Sequence, residues 1–436
     1  MRLLVTNARC PQAYVIVRAL RDHAERIVVT KSGPRPLGLW PTCHAAYSRL
    51  VDQSYVVPHP EQDWYEGRIQ PENTERENDF IDAVLKLCER EKIDTIFPSF
   101  DPWVYVFSKN KRLFEDRGIV IPIPDFEQVI KPLDKFRTLR CAQEVGFPTP
   151  RVYLPESEAD LARIAGELDP PWVVKLRFAT GGRGISVVDD FDELRAKVRT
   201  AKQRWGVPMV QEYIPGKQPQ SFYIVLDRDG RALSVFAPKA VRSSGRIFRA
   251  SIAVAETSPP PAVAELAVGL VKHMGWWGGA TVQTKLDPRD GQLKLMEVNP
   301  RLGANLWYRT ELGINEPLMC IKIARGEPVE PPTDYPLGWL LMKPIEDIPD
   351  LFLQLLDLAI YRTRSLALGK KSVDAWTPPD TFAQVIGAYQ KQYFGKATRR
   401  FSPHFRYVLE DPLPGLIWAS KVLQSRAMLT VHGLGR

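Results

Sequence analysis

Around residue 300 the chain reads Met296-Glu297-Val298-Asn299-Pro300-Arg301, and a glutamine, Gln283, lies upstream of it. Side chains alternate along an extended strand, so Glu297 and Asn299 share one face. If Leu286 faces Gln292 across a hairpin, Gln283 falls opposite Leu295 and converges diagonally on the same pair. One carboxylate and two amide oxygens on one face suit a hard cation such as Mg²⁺. That ion takes few protein carboxylates and shares its remaining positions with substrate phosphates. Arg301, just past the strand, can neutralise charge on a phosphoryl group in transfer. The outer face of an exposed hairpin would carry the same residue types, so this stretch alone leaves both readings open.

Three other stretches bear on phosphate chemistry. Lys175 precedes Arg177-Phe178-Ala179-Thr180-Gly181-Gly182-Arg183-Gly184. A glycine-rich loop between antiparallel strands can lie over phosphates and offer backbone N–H groups, with Lys175 as a compact cation. It is not a Walker loop, because G-x-x-x-x-G-K-[ST] is absent. Lys135 opens a helix in Asp134-Lys135-Phe136-Arg137, where a cation opposes the macrodipole unless an anion offsets it. Val210-Gln211-Glu212-Tyr213-Ile214-Pro215-Gly216 is an extended segment that can present backbone groups to an adenine edge. Each stretch has a plainer alternative: a flexible turn with a solvated lysine, an exposed helix-start lysine, and a core strand ending in a Pro-Gly turn.

The elements that must position these groups follow from periodicity. Residues 3–6 read as a strand, 13–23 as a helix, 27–30 as a strand, 79–91 as an amphipathic helix and 95–97 as a strand. That alternation predicts a small parallel sheet. The first turn, Asn7-Ala8-Arg9-Cys10-Pro11, lacks G-x-G-x-x-G, which argues against a dinucleotide site. The chain crosses to a new unit around 118–124. There Asp134 caps a helix over 135–145 and Gly146 stops it. Residues 171–188 read as strand, glycine turn, strand. Residues 209–214 and 222–226 are further strands, and 280–286 with 293–298 form a hairpin. Beyond about 330 the composition changes, with helical candidates at 350–360 and 412–426. The expected fold is α/β (α+β). A Rossmann-like domain over 1–118 precedes a second domain over 119–330, whose glycine-loop part spans about 134–210. A basic, mostly helical extension over 331–436 follows.

A length of 436 residues predicts two or three domains. The 44% hydrophobic and 25% charged shares are those of a soluble globular chain. The net charge is +8. Residues 391–436 hold eight Lys/Arg against Glu410 and Asp411, 8 − 2 = +6, so most of the excess sits in the tail. A basic balance favours anionic partners. The five cysteines are scattered without C-x-x-C, against a disulfide framework or a zinc motif and in keeping with a cytoplasmic setting. There is no signal-peptide pattern and no apolar stretch long enough for a bilayer. The six histidines are dispersed and form no Ser-His-Asp pattern. Lys239, Arg242, Arg246 and Arg249 are candidate anchors for a substrate carboxylate, or simply a solvated basic loop. Leu413, Leu416, Ile417, Trp418, Val422 and Leu423 beside Lys421 and Arg426 could give weak peripheral contact with an anionic membrane, or pack on the chain itself. Nucleic-acid binding has no motif support.

In order and spacing, several of these features together resemble the ATP-grasp superfamily. They are the Asp134-Lys135 helix start, Pro148-Thr149-Pro150, Lys175 before the glycine loop, Glu212 to Gly216, Gln283, and Glu297-Val298-Asn299-Pro300-Arg301. They look most similar to the branch holding carbamoyl phosphate synthetase large subunits and carboxylate–amine ligases, over residues 1–325. The resemblance implies that Lys135 and Lys175 contact ATP phosphates and that Gly181, Gly182 and Gly184 belong to the loop that covers them. It makes Glu212, Tyr213 and Ile214 the adenine-binding hinge. It makes Gln283, Glu297 and Asn299 ligands of Mg²⁺, with Mn²⁺ as the alternative ion, and Arg301 the residue that steadies the phosphoryl group. Family members usually place a ribose-binding Glu after the hinge glycine. Here Lys217-Gln218-Pro219-Gln220 follows Gly216, which leaves Gln218 as a candidate and puts nucleotide preference in doubt. The implied activity is that of an ATP-dependent ligase, joining a small carboxylate to an amine or thiol through an acyl phosphate. A nucleotide-binding regulator without turnover and a carboxyphosphate-forming enzyme are the alternatives. The resemblance leaves the oligomeric state open, a dimer included.

Overall fold

The computed structural model describes residues 1–31, 44–67, 69–216, 219–244, 251–303, 305–332 and 334–344. Beyond these it describes 347–348, 351–352, 354–356, 358–359, 363, 381–395, 399–402, 407, 409–414 and 416–417.

Four short strands build the first unit: β1 (Arg2–Val5), β2 (Arg26–Lys31), β3 (Gln53–Val56) and β4 (Thr95–Phe97). They run parallel in the order β3-β2-β1-β4. Leu3, Leu4, Val5, Ile27, Val28 and Val29 are buried, so both faces of the sheet are covered, as a parallel sheet requires. The helix Pro11–Leu20 begins with proline at its first position, where no N–H is needed. The helix expected over 79–91 starts at Glu75. Thr74 and Glu77 form a capping box there, with Glu77 N donating to Thr74 Oγ1 at 3.2 Å and Thr74 N donating to Glu77 Oε2 at 3.0 Å.

The next unit holds β5 (Val152–Tyr153), β6 (Trp172–Lys175), β7 (Ile185–Val188) and β8 (Met209–Glu212), antiparallel in the order β5-β8-β6-β7. Leu161, Ile164, Leu194 and Val198 of its two helices pack on Trp172, Val174, Val188 and Val210. Then come β9 (Pro219–Leu226), β10 (Ala232–Phe236), β11 (Lys239–Ser244), β12 (Ser251–Glu256), β13 (Gly278–Leu286) and β14 (Leu293–Asn299). One antiparallel sheet runs β10-β9-β13-β14. Phe222, Ile224, Ala280 and Val282 on its core face meet Ala267, Leu270 and Val271 of the helix Val263–His273. The helix Lys135–Glu144 lies against β14.

The residues after 330 add strands as well as helices. β15 (Trp339–Met342) and β16 (Arg399–Phe401) complete a sheet in the order β11-β12-β15-β16, with Leu341 and Met342 buried. The described residues within 351–359 are helical, and a helix Phe382–Phe394 packs on them through Val385 and Tyr389. Further on, Tyr407 stacks on Trp307 at 4.9 Å, Tyr14 donates to Asp411 at 3.1 Å, and Arg18 pairs with Glu410. The tail thus docks on the first unit. In the 412–426 stretch Leu413 and Leu416 are exposed and Ile417 is buried. Trp418, Lys421, Val422, Leu423 and Arg426 lie outside the described residues. Among the described residues no helix is long and apolar enough to cross a membrane.

Candidate active site

The β13–β14 hairpin departs from the expected register. Leu286 faces Leu293, not Gln292, and Thr284 faces Leu295. The ladder then skips Met296, so that Gln283 lies directly opposite Glu297 and Thr281 opposite Asn299. Met296 is the extra residue of a β-bulge. The reason is burial: Leu295 and Val298 both go to the core, and an odd spacing of three cannot do that in a regular strand. The inserted residue turns Leu295 inward while leaving Glu297 and Asn299 on the opposite face with Gln283. The three oxygen-bearing side chains therefore share one face, Gln283 by direct opposition to Glu297 rather than diagonally.

The bulge also supplies an acceptor. Lys175 Nζ, at the end of β6 and buried, donates to the Met296 carbonyl at 3.1 Å. Lys135 Nζ donates to the Ala179 carbonyl of the glycine loop and stands 3.7 Å from Glu297 Oε2. Burial holds the Lys175 ammonium down to about 8; Lys135 nearby lowers it further and Glu297 opposes them. For Glu297, burial works against ionisation. Lys135 and Lys175, with the Asn299 amide and Arg301, outweigh it and hold the carboxyl below its usual range. Asn299 Nδ2 donates to Glu297 Oε1 at 3.3 Å, and Arg301 Nη2 donates to Asn299 Oδ1 at 3.0 Å.

Two carboxylates set these cations in place: Asp134, expected as a helix cap, and Asp101, which the sequence did not single out. Asp134, fully buried, accepts from Phe136 N at 3.1 Å as helix cap and binds the Arg177 guanidinium through both oxygens. Lys135 N in turn donates to Arg177 O at 3.1 Å. The start of the lysine-bearing helix is thereby tied to the root of the glycine loop. Asp101, the first residue of the helix Asp101–Lys109 that follows β4, accepts from Arg301 Nε at 2.8 Å and Nη2 at 3.2 Å. The first unit thus reaches into the site. The loop itself needs its glycines: Gly181, Gly182 and Gly184 have φ of 64°, 71° and 66°. It leans on the first unit, with Phe178 edge-on to Trp64 at 5.9 Å and Arg183 over the Tyr65 ring at 4.0 Å.

At the hinge, Ile214 O accepts from Lys285 Nζ at 2.5 Å, and burial pushes that lysine down to about 8 against the pull of Asp287. Tyr213 and Ile214 are buried. The Glu212 carboxylate accepts from Arg151 N at 3.0 Å and pairs with Arg289 at 2.8 Å. Gly216 is required where it stands, since a Cβ there would meet Leu286 O at 1.7 Å. Gln218 lies outside the described residues. Gln220 donates to Pro238 O at 3.0 Å.

The basic residues weighed as carboxylate anchors or as a solvated loop are placed differently from one another. Arg242 is engaged by Asp347, by Gln392 Oε1 at 2.6 Å and by the Tyr389 ring at 3.9 Å, all from the tail. Lys239 is exposed, and Arg246 and Arg249 lie outside the described residues.

The donor set fits a hard divalent cation beside a polyphosphate: an ionised carboxylate, two amide oxygens and two lysines on one face. Residues 134–330 match the family described as carbamoyl-phosphate synthase L chain, ATP binding domain. This stretch is an ATP-grasp domain. The chain is 22% identical over 299 residues to the carbamoyl phosphate synthase large chain, N-terminal section, of Methanopyrus kandleri, covering 65% of this chain and 48% of that one. It is 24% identical over 303 residues to the carbamoyl phosphate synthase large chain of Thermoplasma acidophilum, covering 64% and 28%. It therefore spans half or less of these relatives. Among solved structures, the biotin carboxylase domain dimer of Hydrogenobacter thermophilus 2-oxoglutarate carboxylase, in complex with MgADP, ADP and bicarbonate, aligns with a TM-score of 0.60 at 19% identity. That alignment covers 78% of this chain and 73% of the other. An L-amino acid ligase from Bacillus licheniformis aligns with a TM-score of 0.54 at 19% identity, covering 76% and 75%. These likenesses establish the ATP-grasp fold.

Proposed function

We propose that the protein is a Mg-ATP-dependent ligase that activates a small carboxylate as an acyl phosphate and joins it to an amine or a similar nucleophile. The observation that carries this reading is the convergence of Lys135, Lys175, Gln283, Glu297, Asn299 and Arg301 on one face beneath a glycine loop. Gln283, Glu297 and Asn299 would hold Mg²⁺, with Mn²⁺ as the alternative. Such an ion, when bound, neutralises phosphate charge and favours in-line displacement. Lys135 and Lys175 would meet the phosphate oxygens, and Gly181, Gly182 and Gly184 would bring loop N–H groups over them. Glu212, Tyr213 and Ile214 would border the adenine, and Gln218 is the candidate for the ribose.

A carboxylate oxygen of the acid attacks the γ-phosphorus, the bond to ADP breaks, and Arg301 offsets charge on the oxygens in transfer. The amine nitrogen then attacks the acyl carbon, the C–O bond to phosphate breaks, and the amine gives up its proton. Water must be kept from the mixed anhydride, which is the task of the glycine loop held against Trp64 and Tyr65. No protein nucleophile is required. The family match, with the carbamoyl phosphate synthase and amino acid ligase relatives, supports carboxylate activation and C–N bond formation.

We further propose the division into 1–118, 119–330 and 331–436, and a cytoplasmic setting. The latter agrees with Cys88, Cys141 and Cys320 being free thiols. A dimer is compatible with the dimeric carboxylase neighbour.

Hydroxylamine trapping tests the reading. With Mg-ATP and a panel of carboxylates, the account expects a hydroxamate and stoichiometric ADP from at least one acid. Tight nucleotide binding with neither product for any acid would favour a regulator without turnover.

A further inference from the structure

Away from the ATP face, the helices Lys135–Glu144 and Val263–His273 end side by side. Cys141 and Glu144 stand one turn apart on the first, and His273 is the last residue of the second. The thiol sulfur, a carboxylate oxygen and a ring nitrogen all lie within 4.8 Å of one another. We propose that Cys141, Glu144 and His273 form a second metal site, for a borderline divalent cation of the Zn²⁺ class, with a fourth position open to water.

The donor chemistry selects the ion. Thiolate and imidazole with one carboxylate suit Zn²⁺ or Co²⁺, whereas Mg²⁺ takes oxygen ligands. Zn–S of about 2.3 Å and Zn–N or Zn–O of about 2.0–2.2 Å would set neighbouring donors of a tetrahedral ion about 3.2–3.8 Å apart. Glu144 Oε2 and His273 Nε2 are now 2.8 Å apart. Both side chains are about half exposed and free to adjust.

A second feature, independent of the ligands, points the same way. Both helices turn their C-terminal ends toward the cluster, and the negative poles of two macrodipoles favour a cation there. A Glu144–His273 ion pair alone would explain the 2.8 Å contact, but not a thiol within reach of both. Burial and then Glu144 raise the Cys141 thiol above its ordinary value, offset in part by Lys131 and Arg137.

The test is titration of the full chain with Co²⁺ in excess Mg²⁺, followed by competition with Zn²⁺. The expected result is a thiolate-to-cobalt charge-transfer band in the near ultraviolet that saturates at one equivalent and is bleached by Zn²⁺. It should be lost in Cys141→Ser, and affinity should weaken at least tenfold in His273→Gln. ATP turnover in Mg²⁺ should be unchanged in both variants. No thiolate band in the wild-type protein, or equal calorimetric Zn²⁺ affinity in wild type and both variants, would overturn the proposal.

Discussion

Replacing Asp101 by Asn should cripple turnover while leaving nucleotide binding nearly intact. Asp101 is buried and Arg301 largely so, with side-chain exposures of 5% and 12%. The carboxylate accepts from two guanidinium nitrogens at 2.8 and 3.2 Å. An Asn of the same shape keeps one acceptor oxygen and turns an NH₂ donor toward the other guanidinium nitrogen. One charge-assisted hydrogen bond is lost, worth about 1.5–3 kcal/mol. Arg301 then keeps the one oxygen at position 101 and Asn299 Oδ1 at 3.0 Å as its side-chain acceptors and swings toward Asn299. If the lost contact served to aim Arg301 at the phosphoryl group, about 1.4 kcal/mol per decade converts it to a roughly 10- to 100-fold fall in kcat. Asp101 makes none of the contacts assigned to the nucleotide, so the Mg-ATP dissociation constant should move less than about twofold, within the error of calorimetry. Asp101→Ala leaves the buried charge unpaired and should also destabilise the fold, by about 3–5 kcal/mol. The assay is ADP release with the acid identified by hydroxamate trapping, alongside calorimetry of Mg-ATP. Undiminished kcat in a folded Asp101→Asn protein would refute the positioning argument. Equal losses in kcat and nucleotide affinity would show general disruption instead.

Lys175 sets a pH dependence. Its ammonium titrates at about 8 instead of 10.5, so the charge facing phosphate is lost as pH rises through 8. Calorimetry between pH 7 and 9.5 should show weakening Mg-ATP affinity, and Lys175→Met should bind more weakly with a flatter slope, any residue of slope reporting Lys285. The stability term has the opposite sense: between 8 and 10.5 the unfolded chain holds more protons, so rising pH favours the fold. In the glycine loop, Gly184→Ala should cost more than Gly181→Ala in urea denaturation. Both have positive φ, worth about 1–2 kcal/mol, but a Cβ at 184 would also meet Leu176 Cδ1 at 2.4 Å, whereas 181 faces open space. Asp134→Ala removes a helix cap, about 1 kcal/mol, and the Arg177 pair, discounted because Arg177 is 30% exposed. A loss of about 2–3 kcal/mol in the same assay is expected.

Much of this architecture could be read from local pattern. Strand-helix alternation gave the parallel sheet, and Asp134 with Gly146 bounded the lysine-bearing helix. Glu297 and Asn299 share a face because alternation is a property of any strand. The register was not legible from turn residues, but the 295/298 apolar spacing carried a signal that a bulge was present. What escaped the sequence are long-range partners: Asp101 for Arg301, Arg177 for Asp134, and Lys285 for the hinge carbonyl. Nothing local to Asp101 distinguishes it from an ordinary helix-start acid. The same blindness applied to His273 and Cys141, which only the packing of two helices brings together. β15 was missed for another reason. Trp339-Leu340-Leu341-Met342 is a short apolar run in a region whose composition suggests helix, and its role appears only when β12 is beside it.

The most direct test of the central claim is ADP release by Glu297→Gln at saturating Mg-ATP. The substitution keeps the shape of the side chain and removes the one carboxylate on the β13–β14 site face. The account predicts a fall of at least about 100-fold, or some 2.7 kcal/mol, in a protein that still melts cooperatively. Wild-type turnover in that variant would contradict it.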